Sequence, residues 1–196
     1  QAADFLVRIQ GADGSWQDQF SYASPTVLSK SPTQTAEVML ALNALGYSRS
    51  RYASMVSAAD FVLTLQDPAH KGGDDDGLIG GGLDANGVYQ RWRWTSDNSY
   101  AYQALKAAEK WARTRGDSAR TNRYAGASGR ILAGIDSRLK DPSSPVWYIA
   151  VDERGASMIA QHEWINYAPQ MLDVPAAGVG PAVGEWIHAT LVDSAT

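Results

Sequence analysis

Ala2-Ala3-Asp4-Phe5-Leu6-Val7-Arg8-Ile9-Gln10 recurs 56 residues later as Ala58-Ala59-Asp60-Phe61-Val62-Leu63-Thr64-Leu65-Gln66. Both copies carry apolar residues at helical spacing. Both run into a loop rich in Gly and Asp, Gly11-Ala12-Asp13-Gly14-Ser15-Trp16 after the first and Gly72-Gly73-Asp74-Asp75-Asp76-Gly77 after the second. A repeat of this length with two helical patterns per unit is the mark of helical hairpins stacked in a line or a ring. Equivalent loops then gather at one end. The repeat further predicts that Asp4 and Asp60 are equivalent, that Phe5 and Phe61 both face the core, and that residues 72–96 lie at the same end as Asp13-Gly14-Ser15-Trp16.

A degenerate copy extends the pattern. Leu40-Ala41-Leu42-Asn43-Ala44-Leu45 leads to Tyr52-Ala53, as Gln103-Ala104-Leu105-Lys106-Ala107-Ala108 leads to Tyr124-Ala125 and an apolar run through Ile131-Leu132. The second pair lies nine residues further apart, and the polar stretch holding Arg113, Arg115, Gly116 and Asp117 is where a longer connection is expected. Seven helical patterns are readable. The first ends at Gln10. Ser31-Pro32 reads as a cap and first-turn proline for a second, closed by Gly46. Helices follow over 52–66, from Thr95-Ser96-Asp97-Asn98 to about Trp111, over about 119–139, and more weakly over 158–172 and 181–192. Val146–Val151 is a short strand or extended segment. Between the third and fourth helices lies a long Gly- and Asp-rich loop, 67–96, of a length usually tied to function. The expected fold is all-α: antiparallel helical hairpins forming an (α/α) toroid or a sector of one, in a single domain over 1–196. A ring of six hairpins needs twelve helices. The chain starts at Gln1 without Met, inside a helical pattern, so the expectation is a removed leader or a piece of a longer protein.

Composition narrows the function classes. The 196 residues are 44% apolar and carry a net charge of −4, with no basic stripe of the kind that binds nucleic acid. No apolar stretch approaches the ~20 residues that cross a bilayer. The absence of cysteine excludes disulfides and thiolate metal sites. No phosphate loop, His-Glu-x-x-His or Gly-x-Ser-x-Gly is present, and His70, His162 and His188 have no ligand spacing. Asp74-Asp75-Asp76-Gly77 offers oxygens to a hard cation such as Ca²⁺, but lacks alternating ligand spacing and a distal Glu, so a solvated acidic turn is the favoured reading. Seven Trp and nine Tyr are many for this length, and aromatics either fill cores or line grooves for flat ligands.

The run Trp92-Arg93-Trp94-Thr95-Ser96-Asp97-Asn98-Ser99-Tyr100-Ala101-Tyr102-Gln103-Ala104-Leu105, with Thr114-Arg115-Gly116-Asp117 after it, resembles the inner-helix start and "TGD"-like turn of six-hairpin glycosidase-like proteins. The resemblance spans about residues 31–140. It implies an (α/α) toroid and carbohydrate-active chemistry, by glycoside hydrolysis or polysaccharide elimination. Gln10, Gly14 and Trp16 also resemble the Gln-x3-Gly-x-Trp motif of terpene cyclases, which leaves an isoprenoid cyclase as an alternative. A non-catalytic helical-repeat binding protein is the third.

Under the carbohydrate reading Asp97 is the first candidate. It stands at a helix start beside Trp92 and Trp94, which would form a sugar platform, as a general acid or base. The competing role is a helix cap. Glu163, in Gln161-His162-Glu163-Trp164-Ile165-Asn166-Tyr167, is the second carboxylate and the better acid, since a helix N-terminus favours an ionised Asp97. A surface ion pair is its alternative. Trp16, Tyr167 and His162 complete the candidate saccharide contacts.

Overall fold

In the computed structural model the described residues are 2–17, 29–143, 145–158, 169 and 171–175. Five α-helices lie among them: α1 (Ala2–Arg8), α2 (Pro32–Ala44), α3 (Tyr52–Thr64), α4 (Thr95–Arg115) and α5 (Ser118–Gly134). The chain is not purely all-α as expected. It is helix-rich, 54% helical, with two small antiparallel sheets. The strands β1 (Gly82–Leu83) and β2 (Tyr89–Gln90) pair Gly82 with Gln90 and Leu83 with Tyr89. The strands β3 (Arg93–Trp94), β4 (Ala150–Val151) and β5 (Ser157–Met158) pair Arg93 with Val151 and Ala150 with Met158. The expected helix 158–172 is therefore corrected at its start, where Met158 belongs to a strand. The proposed helix 181–192 lies outside the described residues.

The repeat is visible as one joint built twice. The Gln10 amide donates to the carbonyls of Gly14 (2.8 Å) and of Ser54 in α3 (3.0 Å). The Gln66 amide donates to those of Gly77 (2.7 Å) and of Ala127 in α5 (3.1 Å). Each glutamine ties its own loop to the next outer helix. Gly14 and Gly77 both have positive φ, 89° and 78°. A Cβ on Gly14 would sit 2.1 Å from the Ser57 carbonyl oxygen, and one on Gly77 2.5 Å from that of Arg130. Only glycine allows both the backbone turn and the close approach. Two residues on, Trp16 N–H donates to Thr35 Oγ1 (3.1 Å) and Ile79 N–H to Asn98 Oδ1 (2.8 Å). Thr35 and Asn98 are each the fourth residue of an inner helix, α2 and α4.

The two loops lie at the same end, as the repeat predicted. Lys30 and Leu83 exchange both backbone hydrogen bonds, and Lys30 Nζ reaches Asp13 at 2.5 Å. The later pairing is one residue out. Ser54 and Ser57 stand where Ala127 and Arg130 stand, so Tyr52 matches Ala125 rather than Tyr124. The extra length expected between α4 and α5 is not in their connection. It lengthens the helices, to 21 and 17 residues against 13 and 13 in α2 and α3, and the link is only Gly116 and Asp117. Gly116, with φ of 80°, closes α4, and Asp117 caps α5 through Arg120 N–H (3.1 Å).

The core sits between the inner pair α2 and α4 and the outer helices α3 and α5. Met39, Leu42, Met55, Val62, Leu105 and Ile131 are fully buried there. Phe61 belongs to it at 4% exposure, but Phe5 is 49% exposed. The expectation for Phe5 is thus corrected. Along α1 and just past its end, the stripe of Phe5, Leu6 and Ile9 is exposed or half-buried, whereas Phe61 and Val62 on α3 and Leu65 at its C-cap are buried, because α3 nests against both α2 and α4.

Candidate functional site

The inner helices turn one side toward the core and the other away from α3 and α5. Thr33 and Glu37 lie on that open side of α2, opposite the buried Thr35, Ala36, Met39 and Leu42. Asp97, Tyr100 and Gln103 are the half-buried residues of α4 next to them. A side-chain hydrogen bond crosses between the helices. Thr33 Oγ1 donates to Asp97 Oδ1 at 2.6 Å. About one turn further on, the Glu37 charge acts on the Tyr100 hydroxyl. Burial, and then the Glu37 charge, push the Tyr100 hydroxyl above its usual range, so it remains a donor. Gln103 Nε2 donates to the Asp173 carbonyl (3.1 Å), which brings the segment 171–175 against this side of α4.

Asp97 is not the cap of α4. The helix begins at Thr95, its cap position is Trp94 with no side-chain cap bond, and Asp97 is the third helical residue. Its carboxylate accepts a hydrogen bond across to α2 instead.

The aromatic pair precedes the helix. Trp92 and Trp94 stack with centroids 5.4 Å apart and planes 16° from parallel. Alternation along an extended chain puts both on one side and Arg93 on the other. Arg93 has 0% of its side chain exposed. It pairs with Asp76 Oδ2 (3.0 Å) and Asp74 Oδ2 (2.9 Å), and Asp76 Oδ1 takes Lys71 Nζ at 2.7 Å. Leu78 N–H adds a third donor to Asp76 at 3.0 Å. The sequence of Asp74-Asp75-Asp76 favours a solvated turn over a cation site. Asp76 is neither solvated nor open, at 1% side-chain exposure, and buried Lys71 and Arg93 occupy the positions a cation would take. Asp75 stays exposed. Among the described residues no group of three or more ligating side chains is placed to hold a metal ion.

Trp16 is placed in the core. It is 2% exposed, and its indole N–H donates to the Leu6 carbonyl (2.9 Å), so its ring has no open side. With Gln10 and Gly14 committed to the joint, all three residues of the cyclase-like motif serve packing between hairpins. Near the site, burial would raise the Asp13 carboxyl, but hydrogen bonds from Lys30 and Ser15 outweigh it and hold Asp13 below the usual carboxylate range. Glu163, His162 and Tyr167 lie outside the described residues. Two surface clefts of about 330 and 360 Å³ share Asp75 and Arg130 and contain neither Asp97 nor the tryptophan pair.

Glu37 and Tyr100 were not singled out from the sequence. The available signal was the repeat. Thr35 and Asn98 are equivalent, so Glu37 and Tyr100, two positions further along, are equivalent too.

No protein-family model and no curated protein matches the chain. Among solved structures it is similar to a GH78 family rhamnosidase of Bacillus sp. GL1, with a TM-score of 0.65 and 14% identity over 83% of this chain. The chain spans 18% of that protein. The likeness is one of fold and fits a segment of a toroid. No described helix is long and apolar enough to cross a membrane.

Proposed function

We propose that the chain is part of a carbohydrate-active enzyme that binds a saccharide on the concave side of α2 and α4. The observation that carries this reading is the setting of Asp97. It is half-buried in the first turn of an inner helix, held by Thr33 of the neighbouring inner helix, and follows the stacked Trp92–Trp94 pair within three residues. A carboxylate at the positive end of a helix is suited to act as a base or electrostatic stabiliser. Half-exposed indoles offer the flat apolar surface that sugar rings cover. The fold likeness to a rhamnosidase supports the same reading by analogy.

In this reading Asp97 takes a proton from water or stabilises the charge that develops at the anomeric carbon, and Glu163 protonates the departing oxygen. His162 and Tyr167 would contact the same sugar. The test is turnover of a panel of aryl glycosides and oligosaccharides, L-rhamnosides included, by the unaltered protein, Asp97→Asn and Glu163→Gln. Asp97→Asn should lose about 10²-fold or more in kcat with its helical circular dichroism intact. Full activity in that variant, or no saccharide bound or cleaved by the unaltered protein, would refute the assignment.

A further inference from the structure

The turn between β1 and β2 carries Ala85-Asn86-Gly87. Of the five asparagines in the chain, Asn86 alone is followed by glycine. That pair suits a tight hairpin turn. It also sets a side-chain amide carbon beside a backbone nitrogen that no Cβ shields.

The structure separates Asn86 from the other asparagines. Asn86 and Gly87 are both exposed. A Cβ on Gly87 would meet nothing within 4 Å, so no neighbouring group shields its nitrogen. Asn43, Asn98 and Asn122 lie inside α2, α4 and α5, where the next backbone N–H is held in the helical ladder. Asn43 also accepts from the Trp111 indole (3.2 Å), and Asn98 donates to the Trp94 carbonyl (2.8 Å). Asn166 lies outside the described residues. Asp13-Gly14 and Asp76-Gly77 are chemically related pairs, but both glycines are pressed against a carbonyl of the next outer helix. Asp76 is in addition buried.

Asp84 restrains the turn. Its Oδ1 accepts the N–H groups of Asn86 (2.9 Å) and Val88 (2.8 Å). Its carbonyl accepts the Gly87 N–H (2.9 Å). Three successive N–H groups thus depend on one residue. The Gly87 nitrogen becomes a nucleophile only when its bond to Asp84 opens. Backbone hydrogen bonds in an exposed turn belong to the low-stability end of a fold and open locally at little cost.

We propose that Asn86 is a site of spontaneous deamidation and that Asp84 sets its rate. Solvent base removes the Gly87 amide proton, and the nitrogen attacks Asn86 Cγ. The Cγ–Nδ2 bond breaks, and the leaving nitrogen takes a proton from water and departs as ammonia. The product is a five-membered succinimide, which one water opens. Breaking the new N–Cγ bond gives aspartate. Breaking the original peptide bond gives isoaspartate, whose main chain runs through Cγ and is longer by one methylene. One water is consumed and one ammonia released, with no change of oxidation state. Either product places a new carboxylate in the hairpin beside Gly81, whose Cβ position lies 3.6 Å from Trp94 Cδ1. The site is independent of the carbohydrate reading.

The experiment ages the full chain in mildly alkaline buffer, native and, in parallel, unfolded in urea. Asn86 is followed by peptide mapping with mass spectrometry, and isoaspartate by enzymatic carboxyl methylation. In the native chain Asn86 should convert ahead of Asn43, Asn98 and Asn122. Aspartate and isoaspartate should appear together, the rate should rise with pH, and the aged protein should gain a more acidic band on isoelectric focusing. Asn86→Gln should lack that band, because its side chain would have to close a less favourable six-membered ring. Asp84→Ala removes both side-chain restraints and should convert severalfold faster when native. Asp84→Asn keeps an acceptor oxygen and should stay near the unaltered rate. In urea all three should convert alike, which separates the restraint from any effect on the chemistry. The site is overturned if native Asn86 survives intact for the time in which the unfolded chain converts it, or if a helical asparagine converts first. The role of Asp84 is overturned if native Asp84→Ala converts no faster than the unaltered chain.

Discussion

Replacing Asp76 by Asn tests the buried ionic cluster behind the tryptophan pair. Asp76 neutralises two cations whose side chains are 0% exposed, Lys71 at 2.7 Å and Arg93 at 3.0 Å, and accepts the Leu78 N–H. An amide of the same shape keeps one acceptor oxygen and loses the charge. Lys71 is then left with no opposite charge, and Arg93 keeps only Asp74, itself 31% exposed. Breaking a buried pair by removing one partner costs about 3–5 kcal/mol, because a charge remains desolvated without compensation. Against a typical total of ~5–15 kcal/mol this is a large fraction. For a chain of this size each kcal/mol moves Tm by roughly 2–4 °C, so a fall of about 6–20 °C is expected. Urea unfolding followed by fluorescence gives the free energy. Circular dichroism near 225 nm adds a local reading, since two indoles stacked at 5.4 Å couple their transitions. Asp76→Asn should diminish that couplet at temperatures where the helical signal is intact, because Arg93 anchors the strand between the two rings. Lys71→Met should cost less, since Asp76 retains Arg93 and Leu78. A change below about 1 kcal/mol for Asp76→Asn would show that the cluster is not balanced by this carboxylate.

Three other outcomes follow from the same geometry. Gly77→Ala should destabilise by several kcal/mol in urea unfolding, because its φ of 78° and the Arg130 carbonyl, 2.5 Å from the new Cβ, both oppose a side chain; Gly73→Ala, with nothing near its Cβ, should cost only the backbone strain. Asp13 has a folded pKa below its ordinary value, so the stability it adds is present above that value and is lost as pH falls through the folded pKa; the Tm gap between the unaltered protein and Asp13→Asn should be open at neutral pH and close in acid. Burial holds the Tyr89 and Tyr124 hydroxyls well above the usual tyrosine range, so their stabilising effect is complete below pH 10 and lost only on strong alkalinisation; absorbance at 295 nm should show tyrosines that ionise together with unfolding.

What the sequence carried was periodic. The limits of α2 and α3 follow from the Ser31-Pro32 start and the apolar spacing, and the structure places them within two residues of expectation. The equivalence of Gln10 and Gln66 was legible because both glutamines do the same thing, bonding a loop carbonyl and the next outer helix. The small sheets were not legible. Each strand is two residues long, too short for an alternating pattern, and β3–β4 pairs Arg93 with Val151 across more than fifty residues. The core position of Trp16 was equally hidden, since nothing local separates an indole in a groove from one whose N–H finds a carbonyl.

The role of Asp97 depended on where α4 begins. Thr95-Ser96-Asp97-Asn98 contains four good capping residues in a row, and local preference alone does not choose among them. Tertiary contacts make the choice. Thr95 N–H donates to the Ile149 carbonyl and Thr95 Oγ1 to that of Tyr148, which fixes the start of the helix against the β4 side. Asn98, whose side chain accepts from Ile79 N–H and donates to the Trp94 carbonyl, fixes the register from the other side. With the helix started at Thr95, Asp97 is carried past the capping position and round to the side facing α2, where Thr33 meets it. Had α4 begun three residues later, Asp97 would have held the cap position and the same carboxylate would have been used on its own backbone. The strand pairing at Ala150 and the loop joint at Ile79 therefore decide together whether this carboxylate caps its own helix or reaches across to α2. On the carbohydrate proposal, a variant that weakens either anchor, such as Asn98→Ala, should lower saccharide binding in step with stability, whereas Thr33→Val should lower binding while leaving the helix start in place.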